Sequence, residues 1–145
     1  MALALFAHAA GEAFFDQTFG DFAAELKAAR KEGKLGVLLV FEAEGCPFCR
    51  RMREEVLSQP EVQRYFRRHF AIFAVDINGS VMVTDFSGKE VTEKALALAY
   101  KVRGTPTFVF VGGEGQTLAR HVGATRNAEE FLALGRSVVE AQRSR

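Results

Sequence analysis

The sequence contains no tryptophan and only two tyrosines, and 14 phenylalanines supply most of its aromatic residues. It therefore offers little of the tyrosine and tryptophan surface on which single-stranded nucleic acid stacks. Strong charge is also absent, because 19 basic and 18 acidic residues leave a formal net charge of +1. A chain without a strong electrostatic field gives no reason to expect nucleic acid or an anionic membrane as a partner.

Cysteine is scarce as well, since the whole chain contains only Cys46 and Cys49. Two cysteines are too few for a disulfide-stabilised secreted scaffold or for a structural zinc site, and the three histidines lie far apart along the chain. Two thiols separated by two residues favour redox chemistry. The alternatives are two buried packing residues and two soft ligands for Cu(I).

Long apolar runs are missing too, because no stretch approaches the roughly 18 apolar residues that a membrane-spanning helix requires. The 145 residues, 48% of them hydrophobic, suit one globular domain. Residues 2–7 are apolar and Ala7-His8-Ala9 resembles a signal-peptidase site, but no basic region precedes them. We therefore interpret 1–12 as an N-terminal segment, either a signal-peptide remnant or an ordinary packing segment, and 13–145 as a single domain.

The hydrophobic pattern alternates between helix and strand. A continuous apolar run, Leu35–Phe41, predicts a central strand buried on both faces, and an amphipathic helix over 21–31 precedes it. The pair Ser58 and Glu61 has the spacing of a capping box for the next helix. The pattern of the remaining residues predicts helices at 62–69, at 93–101 and from Asn127. It also predicts strands at 70–77, 107–111 and 116–122, and a hairpin or ordered loop at 81–91. This order predicts one α/β domain.

The cysteine pair lies between the central strand and a second helix. Pro47 suits the first helical position, where a backbone N–H would be unpaired in any case. Cys46 would then lie at the helix N-terminus, whose N–H groups and positive dipole end lower the pKa of its thiol. Cys49, one turn deeper, is the natural resolving thiol. Three arginines follow and are expected on the solvated face of this helix: Arg50, Arg51 and Arg53.

A second feature is Thr105-Pro106, which follows Gly104 and directly precedes a predicted buried strand. A proline in this setting is a candidate for a cis peptide bond. Taken alone, the same residues also fit an ordinary trans proline at the start of a strand.

Together these motifs resemble the thioredoxin family, which places a Cys-x-x-Cys at a helix start opposite a cis-proline loop. The resemblance covers about residues 15–139. Within the family the sequence is most similar to exported bacterial thioredoxins of the SoxW type, on four segments: Phe41–Cys49, Val83–Phe86, Thr92–Ala97 and Thr105–Phe108.

This resemblance implies a thioredoxin-like α/β fold with a central mixed β-sheet flanked by helices, and thiol-disulfide exchange as the activity. Cys46 would be the nucleophile and Cys49 the resolving thiol. The backbone of Thr105 would pair with an extended substrate segment, and Pro106 would pack against the disulfide. Four positions would contact substrate: Pro47, Phe48, Thr105 and Pro106.

One position departs from the family pattern. Many thioredoxins carry a buried acid six residues before the first cysteine, as proton acceptor for the second cysteine, and here Val40 occupies that position. Glu42 or Glu44 could replace it, through water if necessary, and we assign the role to Glu42. The Pro47-Phe48 dipeptide resembles the Pro-Tyr of glutaredoxins, which leaves the direction of the reaction open.

We expect a thiol-disulfide oxidoreductase acting on protein substrates as a reductase, with an upstream redox partner and no cofactor beyond the Cys46–Cys49 disulfide. We expect a monomer, located in the periplasm or otherwise exported, with the cytoplasm as the alternative. Two other functions remain open. One is a glutaredoxin-like reductase that uses glutathione, and the other is a non-enzymatic module that carries Cu(I) or binds peptide.

Overall fold

The structure of the chain is a computed structural model that describes residues 10–145. It contains six strands, which are β1 (Gly36–Glu42), β2 (Phe70–Asp76), β3 (Met82–Thr84), β4 (Glu90–Thr92), β5 (Thr107–Gly112) and β6 (Thr117–Val122). Four of them form the central sheet in the order β2-β1-β5-β6, with β1 parallel to β2 and antiparallel to β5, and β5 antiparallel to β6. The prediction of a mixed central sheet is confirmed. β3 and β4 form a separate antiparallel pair, as the predicted hairpin requires.

Helices cover both faces of the central sheet. They are α1 (Phe22–Lys31), α2 (Pro47–Arg51), α3 (Pro60–His69), α4 (Glu93–Ala99) and α5 (Ala128–Arg143), and a π-helical turn, Met52–Val56, extends α2. Among the described residues, none of these helices has the length and hydropathy to cross a membrane.

Strand β1 supplies side chains to two hydrophobic cores, one on each face of the sheet. Leu38 and Val40 pack into the core beneath α3 and α5, whereas Leu39 and Phe41 pack into the core beneath α1 and α4. Successive side chains of a strand point to opposite faces, so a strand buried on both sides must be apolar throughout. This explains why β1 is the continuous apolar run of the sequence.

Two helix ends differ from the sequence prediction. Ser58 does not cap α3: its hydroxyl donates to the carbonyl of Glu54 at 2.7 Å, and the N-cap position is Gln59, followed by Pro60. The Glu54 carbonyl, four residues earlier in the π-helical turn, competes with the cap for this hydroxyl. Helix α4 ends at Ala99 rather than at Lys101, because Lys101 adopts a left-handed conformation with φ 57° that terminates the helix.

The chain before α1 is tied to the domain. Phe14 is fully buried and contacts the rings of Phe66 and Phe131 at centroid distances of 5.8 and 6.1 Å. The backbone N–H of Asp16 donates to the carbonyl of Ile72, and the side-chain carboxylate of Asp16 accepts from the N–H of Ile72, both at 2.8 Å. The interpretation of the N-terminal segment as a signal remnant falls largely on residues 1–9, which lie outside the described residues.

Candidate active site

The cysteine motif lies at the carboxyl end of β1, where the strand turns into α2. Gly45 adopts a left-handed conformation with φ 74°, which glycine takes without steric cost, and this turn delivers Cys46 to the N-cap of α2. Pro47 occupies the first turn of the helix, as predicted. At the N-cap, the Cys46 Sγ accepts a hydrogen bond of 3.2 Å from the backbone N–H of Cys49.

Cys46 and Cys49 are joined as a disulfide, with their Cα atoms 5.3 Å apart. Cys46 is partly exposed, whereas Cys49 is buried with 5% of its surface accessible. A partner thiolate can therefore reach the first sulfur more readily than the second. The two sulfurs have the unequal access that a nucleophile and a resolving thiol require.

Thr105 and Pro106 lie beside Cys46, joined by a cis peptide bond. The Thr105 hydroxyl donates to Cys46 Sγ at 3.2 Å, and the Thr105 carbonyl oxygen lies 3.5 Å from the same sulfur. The structure thus brings Thr105, which is distant in the sequence, to the Cys46–Cys49 pair. Two donors, an N–H and an O–H, point at the sulfur, and donors directed at a charged atom favour its ionised form.

Exposed apolar side chains flank this site. Phe48 is 59% exposed on α2, and Val122 is 56% exposed at the end of β6. The residue after Val122, Gly123, donates its N–H to the carbonyl of Pro106 at 2.8 Å, which places this strand end against the cis-proline loop. The exposure of Val122 was not predicted from the sequence, although an apolar residue directly before a glycine at a strand end is a signal for it.

A cavity of about 470 Å³ opens on the other side of the disulfide. Its lining comes from the ends of β1 and β2, from the start of α4, and from the cysteine motif and the helical turn after it. Both cysteines contribute to the lining, so the buried Cys49 borders this cavity as well. The charged residues of the lining are Glu42, Glu44, Arg50, Arg53, Asp76 and Glu93.

Glu42 lies in this cavity, but it is not a free carboxylate. Arg53 donates to both of its oxygens, from Nε at 2.8 Å and from Nη2 at 2.5 Å. The side chains of Glu42 and Arg53 are 15% and 17% exposed. The hydrogen bond to Glu42 is the main cause that raises the pKa of Arg53 above its usual value. Glu44 is exposed, and Val40, at the position of the family acid, is buried in the core.

The expectation that three arginines form the solvated face of α2 was wrong for Arg53. Arg50 is exposed, and Arg51 is partly exposed and donates to the Thr125 carbonyl at 3.2 Å. Arg53 instead belongs to the π-helical turn and points into the cavity. A helical wheel of 3.6 residues per turn does not anticipate this, because a π turn changes the angular spacing of the residues that it contains.

Metal ligands are sparse around the site. Across residues 10–145, no group of three or more His, Cys, Asp or Glu side chains could hold a metal ion.

Comparison with known families agrees with this geometry. A family model described as a thioredoxin-like domain matches residues 22–138, which include the cysteine motif and the cis-proline loop. The chain belongs to the thioredoxin-like family. The Cys46–Cys49 disulfide at the start of α2 lies within the matched residues.

Individual relatives include a thioredoxin and a protein named for thiol:disulfide interchange. A thioredoxin from Thermus thermophilus is 32% identical, with a TM-score of 0.64 over 83% of this chain and 85% of that one. The thiol:disulfide interchange protein DsbD 2 of Pseudomonas aeruginosa is 29% identical over 110 residues, which are 75% of this chain but only 17% of that protein. The C-terminal domain of DsbD from Neisseria meningitidis, in its reduced form, shares the fold with a TM-score of 0.59 at 24% identity, covering 79% and 90% of the two chains.

Proposed function

We propose that this thioredoxin-like protein reduces disulfides in protein substrates, with Cys46 as nucleophile and Cys49 as resolving thiol. The observation that carries the proposal is the pair of hydrogen bonds to the partly exposed Cys46 Sγ, from the Cys49 N–H and the Thr105 hydroxyl, beside a buried second cysteine. Both donors favour the thiolate, which is the attacking form in thiol-disulfide exchange.

The reaction runs in two exchanges. The Cys46 thiolate attacks one sulfur of the substrate disulfide, which forms a mixed disulfide and releases the other substrate sulfur as a thiolate. Cys49 then loses its proton and attacks Cys46, which closes the Cys46–Cys49 disulfide and releases the second substrate thiol. Two electrons pass to the substrate, whose sulfurs take up two protons, and an upstream dithiol partner must supply two electrons to reset the pair.

Glu42 is the proposed acceptor of the Cys49 proton. Its support is the cavity that it shares with Cys49. Because Arg53 occupies both carboxylate oxygens, the proton would reach Glu42 through solvent in the cavity rather than directly from sulfur.

Substrate binding would use the surface around Cys46. Pro47 and the exposed Phe48 follow Cys46 on α2, and the Thr105 hydroxyl reaches its sulfur from the loop that contains Pro106. An extended substrate segment would pair with the Thr105 backbone and lay apolar side chains on Phe48 and Val122. We further propose the SoxW type of thioredoxin, an exported location, a monomer, and no cofactor beyond the disulfide.

The proposal is tested by turnover and by reduction potential. The protein should reduce a model disulfide substrate such as insulin when supplied with dithiothreitol, and C46S should lose turnover while C49S accumulates mixed disulfides. Turnover retained by C46S contradicts the role of Cys46. Equilibration with glutathione should give a potential closer to the roughly −270 mV of thioredoxin than to the roughly −120 mV of the oxidant DsbA.

The same assays separate the alternatives. Turnover that requires glutathione identifies a glutaredoxin-like reductase. Stoichiometric copper retained under reducing conditions identifies a Cu(I) carrier, and peptide binding that persists after both thiols are alkylated identifies a binding module. N-terminal sequencing of the native protein, together with cell fractionation, tests the exported location.

A further inference from the structure

The ion pair between Glu42 and Arg53 sets the charge of the cavity beside the cysteines. It is bidentate, with hydrogen bonds of 2.8 and 2.5 Å, and both side chains are more than four-fifths buried. Paired in this way, a guanidinium and a carboxylate present almost no net charge to their surroundings. Screening by solvent is weak at such burial, so loss of either partner would expose the other charge to nearby groups.

Arg53 is held in place from several sides. It follows Cys49 by four residues, in the π-helical turn that extends α2, and both residues line the cavity. Its guanidinium stacks on the ring of Phe15 at 4.3 Å, and Nη1 lies 3.7 Å from Glu12 Oε1. These contacts hold the guanidinium against Phe15 and Glu12, at the cavity that Cys49 also lines.

Other charges also face the cavity. Glu44 and Arg50 are exposed at its mouth and largely screened. On β2 and α4, the exposed Asp76 and the partly exposed Glu93 are linked, since the Asp76 N–H donates to the Glu93 carboxylate at 2.9 Å. Glu42, whose side chain is 15% exposed, is the carboxylate of the lining that Arg53 neutralises.

We propose that Arg53 is a positioning residue that neutralises Glu42 beside the cysteine pair and thereby sets how readily the thiols ionise. The inference rests on the proposed roles of Cys46 and Cys49. Without Arg53, the carboxylate of Glu42 would oppose a second negative charge on sulfur. Without Glu42, the guanidinium, left only with the more exposed Glu12 as its ion-pair partner, would favour that charge.

The test is the pH dependence of Cys46 alkylation by iodoacetamide in the reduced protein, followed by mass spectrometry. R53M should raise the titration midpoint by about one pH unit, which corresponds to roughly tenfold slower alkylation below the midpoint. E42Q should lower the midpoint, and the double variant R53M/E42Q should return it to near the wild-type value. R126M, which removes one charge from the exposed ion pair of Arg126 and Glu130, is the matched control and should leave the midpoint unchanged.

Three results overturn the proposal. First, if R53M and E42Q both keep the wild-type midpoint of Cys46 alkylation, the pair is purely structural. Second, if the double variant keeps the midpoint of R53M, Arg53 does not act through Glu42. Third, if R53M does not fold, the E42Q variant alone tests the proposal, and a Cys46 midpoint in E42Q that is unchanged or raised contradicts it. The titration needs no turnover, so it can fail while the reductase assay succeeds, and the reverse also holds.

Discussion

Replacing Thr105 by valine removes one hydrogen-bond donor from Cys46 Sγ while keeping the shape of the side chain. The hydroxyl donates to that sulfur at 3.2 Å. A hydrogen bond to a charged group contributes about 1.5–3 kcal/mol, and part of this is also made to the neutral thiol. If about 1.4 kcal/mol is specific to the thiolate, the titration midpoint of Cys46 should rise by about one pH unit in T105V.

The same loss should change the reduction potential. The hydroxyl already donates to the disulfide sulfur, and the bond is stronger when that sulfur is a thiolate, so it stabilises the dithiol form relative to the disulfide. Its removal should therefore make the potential more negative by about 30 mV at a pH where the thiolate predominates. Iodoacetamide titration gives the midpoint and equilibration with glutathione gives the potential. T105S retains the hydroxyl and should stay close to wild type, and the reasoning is refuted if T105S shifts as far as T105V or if T105V shifts neither quantity.

Two further predictions concern stability. F14A should lower the free energy of unfolding by about 3–5 kcal/mol in urea, because Phe14 is fully buried against Phe66 and Phe131, whereas F19A, at a fully exposed ring, should change it by less than about 0.5 kcal/mol. Equal effects of the two would contradict the role of Phe14. Burial, aided by Arg143 and Arg68, lowers the pKa of His69 below its usual 6.5. The unfolded chain therefore binds the proton first, so stability contributed by neutral His69 is present above about pH 6.5 and declines as the pH falls below it. In H69Q the free energy of unfolding should depend less on pH in this range. If the slope is the same as in the wild type, other groups cause the pH dependence.

Much of the fold and of the redox centre could be predicted because it depends on local patterns. Leu35–Phe41 had to be a central strand, since only burial on both faces makes such a run favourable. Pro47 and Asn127 marked helix starts because their chemistry suits those positions, and Asn127 accepts from the Glu130 N–H at 2.9 Å. The Cys46–Cys49 disulfide could also be predicted from a local pattern, the spacing of two residues between the cysteines.

The rest could not be predicted because it depends on contacts between distant segments or on competition between similar bonds. Ser58 had a suitable spacing for a capping box, but the Glu54 carbonyl was a better partner once the π-helical turn had formed. Arg53 looked solvent-exposed by helical periodicity, and only the approach of Glu42 from the end of β1 shows where it points. The Thr105 hydroxyl reaches Cys46 across 59 residues, a pairing that no local pattern encodes.

The charges near Cys49 differ from the family pattern, because Val40 occupies the position at which many thioredoxins carry a buried acid. Val40 and its register partner on β2, Ala74, are both uncharged, so the centre of the sheet carries neither an acid nor a base. The acid appears two residues later, at Glu42, already neutralised by a cation from the helix that carries the cysteines. A neutral pair does not oppose a thiolate, and two hydrogen bonds already favour one at Cys46. Because these features stabilise the dithiol form, they move the potential towards less negative values. A reductase role then depends on an upstream donor of lower potential that keeps the pair reduced.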